Sequence, residues 1–273
     1  MRLYFIHGHE RQKEVILFIH IDKTAGQTLT KIIEDQYHIS EVYKLKKPFT
    51  LETLLNEISK AKASKIGCYF EHLEAYLNQV PKGDTNINCI YGHIYFGAHR
   101  FLNKPYTYIT MLREPIDRVI SHYYYLQGKN HFKTNTSFED FISDNLNRNV
   151  QTQYISGQFT PKDTPDIQKA KENIDKYFSI VGITEMFDES LFLMKKQFGW
   201  QDINYSKKNV TVNRPSRDQL SKEIIDLVKR HNELDIELYD YARNMLEQKI
   251  HTLDDQSKQE LHFFIQNQQN QTH

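Results

Sequence analysis

Two cysteines in 273 residues, Cys68 and Cys89, are too few and wrongly spaced for a metal site or a disulfide framework. Each reads as a small buried hydrophobe. Net charge is also missing, because 35 Lys and Arg balance 35 Asp and Glu. No global field therefore draws the chain onto nucleic acid or an anionic membrane. The basic cluster near the front, Lys44, Lys46 and Lys47, reads as solvated loop. No apolar run reaches membrane length: residues 15–21 are strand-sized and include His20. The first seven residues have too short an apolar part for a secretory signal. Without that signal, Asn135-Thr136-Ser137 and Asn209-Val210-Thr211 are discounted as glycosylation acceptors, and a cytoplasmic location is expected. Repeats and linkers are lacking too, which predicts one domain over residues 1–265 and a polar, frayed tail over 266–273.

What is present suits a packed core. Hydrophobic residues make up 39%, with 17 tyrosines and 16 phenylalanines, which argues against disorder. Val15-Ile16-Leu17-Phe18-Ile19-His20 is an unbroken apolar run, the pattern of a central parallel strand. A polar loop follows, then Leu29, Ile32, Ile33 and Tyr37 at helical spacing. Leu51, Leu54, Leu55, Ile58 and Ala61 predict a second helix. Cys89-Ile90-Tyr91, residues 106–112 and residues 178–183 read as further strands. Pro115 opens a helix at its favoured first position, with Ile116, Val119, Ile120 and Tyr123 on one face. Another helix carries Phe187, Leu191, Met194 and Phe198, and two more follow around residues 220–228 and 234–245. Strands alternating with helices predict a three-layer α/β domain, with a mostly parallel sheet and extra C-terminal helices.

Two segments carry chemistry. In His20-Ile21-Asp22-Lys23-Thr24-Ala25-Gly26-Gln27-Thr28-Leu29, a buried strand ends in a loop that opens a helix. Backbone N–H groups and the helix dipole make such a turn an anion site. Gly26 allows close backbone approach, Thr24 and Thr28 add hydroxyls, and Lys23 adds a charge. The G-x-x-x-x-G-K-[ST] pattern of nucleoside triphosphatases is absent. In the second segment Arg113 stands at a strand-to-helix junction, and Ser121 lies about two turns into the helix. Together they can clamp a second phosphate. Arg118 is expected to make a surface i, i+4 pair with Glu114.

These residues resemble the sulfotransferase superfamily. Residues 20–29 look like its 5′-phosphosulfate loop, which in carbohydrate-type members reads roughly H-x-P-K-T-x-G-T-S. Arg113 with Ser121 resembles its 3′-phosphate clamp, an Arg and a Ser eight residues apart. Tyr91-Gly92-His93, Asn149-Val150-Gln151-Thr152-Gln153-Tyr154 and Val181-Gly182-Ile183-Thr184-Glu185 extend the likeness over about residues 15–213. It is nearest the family of heparan sulfate 2-O-sulfotransferases and their bacterial relatives. The chain departs from the pattern at Asp22, where proline is usual, and at Ala25 and Gln27, where glycine and threonine are commoner.

The resemblance implies a P-loop-like nucleotide-binding core and a 3′-phosphoadenosine 5′-phosphosulfate (PAPS) donor. It implies transfer to a hydroxyl acceptor, in keeping with a glycan, and no metal. By that likeness Lys23, Thr24, Ala25, Gly26, Gln27 and Thr28 hold the 5′ end, while Arg113 and Ser121 hold the 3′-phosphate. His93 carries over as the catalytic base, and Lys23 offsets charge on the leaving phosphate. His99, His122 and His131 are rivals for the base. Other readings are a nucleotide-dependent kinase using Mg²⁺, an inactive nucleotide- or glycan-binding protein, and a metal site built from His7, His9, His20 and Asp22.

Overall fold

The computed structural model of the chain describes residues 14–45, 86–132, 136–158, 164–206 and 215–270. Lys46, Lys47, the helix expected near residues 51–61, Cys68, His7 and His9 lie outside them, as do Asn135 and Asn209.

Five strands form one sheet among the described residues: β1 (Val15–Ile19), β2 (Val42–Leu45), β3 (Cys89–Gly92), β4 (Tyr106–Leu112) and β5 (Phe178–Ile183). Their order is β2-β3-β1-β4-β5, and every pairing is parallel. Central β1 is buried along its whole length, which is why it reads as a continuous apolar run. Each of its side chains contributes about 1.5–3 kcal/mol by leaving water. Short β2, only its last residue buried, has no such signature and was not predicted.

Among the described residues the helices are α1 (Gly26–Gln36), α2 (Pro115–Gly128), α3 (Phe138–Ser143), α4 (Val150–Ser156) and α5 (Ile167–Tyr177). They continue with α6 (Phe187–Phe198), α7 (Lys222–His231), α8 (Glu233–His251) and α9 (Asp255–Asn270). Most buried hydrophobics form one core around the sheet, and a second cluster joins α2, α3 and Val228 of α7. Among the described residues no helix is long and apolar enough to cross a membrane.

Of the residues expected to form a frayed tail, 266–270 continue α9 and 271–273 lie outside the described residues; Gln268 is buried with its Nε2 donating to Asn204 at 3.0 Å. A polar side chain with a partner orders this end despite its Gln/Asn-rich composition.

Candidate active site

Strand order decides which loops meet. β1 lies between β3 and β4, with Ile19 in register with both Gly92 and Thr110. The loop after β1, His93 after β3 and Arg113 after β4 therefore emerge side by side at the carboxyl edge. The chain leaves β1 toward β2 and β3 and later crosses to β4, making this a topological switch point, where open α/β sheets bind ligands.

The loop after β1 is held by its own backbone. Lys23 and Ala25 both have positive φ, 69° and 62°, a conformation that costs a non-glycine residue roughly 1–2 kcal/mol. Ala25 is the N-cap of α1 and supplies no side-chain cap, so the helix dipole and first-turn N–H groups face the loop uncovered by a side chain. Thr24 is buried and its hydroxyl donates to the Ile21 carbonyl at 3.0 Å, so it shapes the turn instead of offering that proton outward. A Cβ at Gly26 would lie 2.1 Å from the His20 ring, so its missing side chain makes room for His20. Thr28 is buried in the first turn and Gln27 is exposed.

Arg113 is tied to this loop, donating from Nη1 to the Lys23 carbonyl at 3.1 Å. Its Nε lies 3.8 Å from Glu185, just past the end of β5. Glu185 also accepts from the Tyr239 hydroxyl at 3.2 Å and from the Glu114 N–H. The Lys23 ammonium lies over the Tyr125 ring, 4.0 Å from its centroid. Tyr125 follows Ser121 by one turn of α2, so Lys23 reaches the helix face that carries the buried Ser121.

On the other side of β1, His93 stacks on His20 with centroids 4.4 Å apart. The His20 N–H donates to the Gly92 carbonyl at 2.9 Å, joining the two strand ends. His93 Nε2 lies 3.7 Å from Asp22 Oδ1, an ion-pair distance longer than a hydrogen bond. His99 belongs elsewhere. It stacks on Tyr106 and Tyr177, at the amino ends of β4 and β5, and its Nδ1 meets the Tyr108 hydroxyl at 2.9 Å. His122 packs edge-on against Phe141 of α3, and His131 is exposed beyond α2.

Arg118 overturns its expectation. It makes no surface pair with Glu114, which instead caps α2 by accepting from the Asp117 N–H at 2.8 Å and lies 3.7 Å from Arg217. Arg118 is wholly buried, and no nitrogen of its guanidinium has a hydrogen-bond partner among the described residues. Burial lowers its pKa, opposed by the charges of Asp235 and Asp22. Pattern reasoning placed it on the surface because Glu114 precedes it by one turn. Burial was set instead by the packing of α3, α7 and α8 on α2.

Three further residues escaped the sequence reading as site residues. The Gln151 side chain holds the Arg113 peptide from both sides, Asp235 caps α4 by accepting from the Gln151 and Thr152 N–H groups at 3.0 and 2.7 Å, and Glu185 flanks Arg113. Asn149 returns the cap, its Oδ1 accepting from the Leu234 and Asp235 N–H groups at 3.1 and 3.2 Å. Glu185 carried a signal, standing just after a strand's carboxyl end. The others act across more than 30 residues of chain and have no local pattern.

Comparison with known proteins agrees with the sequence resemblance. The family model for galactose-3-O-sulfotransferase matches residues 6–261. Mouse heparan-sulfate 6-O-sulfotransferase 3 is 23% identical, with 90% of this chain aligned to 60% of that protein. Mouse galactose-3-O-sulfotransferase 2 is 22% identical over 86% of this chain and 62% of its own length. The heparan sulfate 2-O-sulfotransferase of Caenorhabditis elegans is 22% identical over 63% of each. The chain thus spans about 60% of the length of these curated relatives. A solved sulfotransferase from Alicyclobacillus acidocaldarius is similar over 85% of this chain and 96% of its own, at 13% identity and a TM-score of 0.44. With the family model spanning nearly all of it, the chain belongs to the galactose-3-O-sulfotransferase family.

Proposed function

We propose that the protein transfers a sulfuryl group from PAPS to a carbohydrate hydroxyl. The observation that carries this reading is the convergence of the β1 loop, His93 and Arg113 on one sheet edge, in a chain of a sulfotransferase family. The residues there fit a donor with two separate phosphate groups. Lys23 and the α1 N-terminus suit a 5′-phosphosulfate, and Arg113 with Ser121 suits a 3′-phosphate. The names of the relatives, for galactose and heparan sulfate, support a sugar acceptor.

The donor supplies an activated sulfuryl group, whose bond to the bridging oxygen breaks as the acceptor oxygen bonds to sulfur. His93 takes the acceptor's hydroxyl proton, and Lys23 offsets the charge gathering on the departing adenosine 3′,5′-bisphosphate. Arg113 and Ser121 bind the 3′-phosphate in ground and transition states alike, so they set donor affinity more than turnover. None of these roles calls for a metal.

The test is thermal denaturation with adenosine 3′,5′-bisphosphate and with adenosine 5′-phosphate, each with EDTA and with Mg²⁺. The bisphosphate should raise the melting temperature more, without metal, because ligand bound to the folded state stabilises it by mass action. Equal shifts would remove the 3′-phosphate clamp, and a need for Mg²⁺ would favour a kinase.

A further inference from the structure

Resting on the reading of His93 as the base, we propose that Asp22 is a positioning residue for it, a carboxylate that stabilises the His93 imidazolium formed during transfer. Asp22 stands where the resembled pattern carries proline, on a loop that suits an anionic donor. A carboxylate there opposes donor binding unless nearby cations offset it. His93 Nε2 lies 3.7 Å from Asp22 Oδ1, with the two side chains 20% and 35% exposed. The carboxylate also acts on the buried guanidinium of Arg118, whose pKa is lowered by burial against the opposing charges of Asp235 and Asp22.

Asp235 is already engaged. Its Oδ1 accepts from the Thr152 N–H at 2.7 Å and the Thr152 hydroxyl at 2.8 Å, and its Oδ2 accepts from the Gln151 N–H at 3.0 Å. Among the described residues His20 stacks on His93 from the end of β1, and Tyr154 of α4 adds to the electrostatics at Arg118.

The timing of the charges gives this arrangement a catalytic effect. While His93 is neutral, its attraction to Asp22 is weak. When the acceptor's proton arrives, the ring becomes a cation 3.7 Å from a carboxylate. The attraction is therefore greater in the transition state than in the ground state, and only such a difference speeds the chemical step. At 3.7 Å the carboxylate does not close a hydrogen bond with Nε2.

The experiment is an NMR titration of the His93 ring in the full chain, assigned by its loss in His93→Ala. Asp22→Asn should move the ring's midpoint down by about one to three pH units, the effect of an opposite charge at this range. Asp22→Glu, which keeps the charge, should restore most of that shift. The acid limb of single-turnover transfer from PAPS to galactosides and heparan oligosaccharides should move down with it in Asp22→Asn. An unchanged ring titration in Asp22→Asn would overturn the proposal. A shifted ring beside a His93→Ala variant that transfers normally would keep the ion pair and overturn the base reading it serves.

Discussion

Gln151 and Arg113 are locked together by two hydrogen bonds of 2.9 Å: Gln151 Oε1 accepts from the Arg113 N–H, and Nε2 donates to the Arg113 carbonyl. Gln151 is fully buried. One amide thus satisfies both backbone polar groups of Arg113, just past the end of β4, and fixes the point from which its side chain departs.

Gln151→Leu should therefore destabilise the protein by about 2–4 kcal/mol, because the Arg113 N–H and C=O both lose their partner. It should also weaken adenosine 3′,5′-bisphosphate binding, although residue 151 itself carries no charge. Urea denaturation and calorimetry test the two parts. Lost stability with unchanged affinity would mean that Arg113 does not depend on this bracket.

His93→Ala and Lys23→Ala should separate. The first should cut single-turnover transfer on the order of 10²–10⁴-fold and leave bisphosphate affinity close to wild type. The second should lower both, since on the proposed reading the Lys23 ammonium meets the bound donor as well as the charge developing on its leaving group. Near-normal transfer by His93→Ala would sink its assignment as base. His99 is then no substitute, because its partners lie at the opposite edge of the sheet.

Gly26→Ala should destabilise by roughly 1–3 kcal/mol through overpacking, since the new Cβ meets the His20 ring at 2.1 Å. Adding His20→Ala should recover most of that loss and not the activity, because His20 also supports His93 by stacking. A double-mutant cycle on melting temperature measures the coupling. Additive effects would show that some other neighbour requires the glycine.

Stability should depend on His99 below neutral pH. Burial first, and the Arg100 charge second, lower its pKa from the ordinary 6.5. As pH falls below 6.5 the unfolded chain takes up a proton that the folded one resists, so the fold weakens until the lower folded pKa is passed. Above 6.5 the ring is largely neutral in both states and this contribution is constant. His99→Phe keeps an aromatic ring between Tyr106 and Tyr177 and should flatten that part of the profile. Denaturation at pH 7.5 and at pH 5 tests this, and identical slopes for both proteins would exclude His99.

The sequence by itself determined the elements whose physics is local. Continuous apolar runs marked β1, β4 and β5, and helical spacing with Pro115 marked α2. The loop over residues 20–28 was legible because its residue types and its place between strand and helix are contiguous. The same holds for Arg113, eight residues before Ser121. Tertiary structure decided the rest. It put β1 between β3 and β4, which brings His93 to the loop after β1, since strand order depends on packing and not on neighbours in the chain. It buried Arg118, which its i, i+4 spacing to Glu114 placed on a surface. It also matched Asp235 to the N-terminus of α4 and Asn149 to that of α8 across some 85 residues, because a capping side chain needs only to be near a helix end in space.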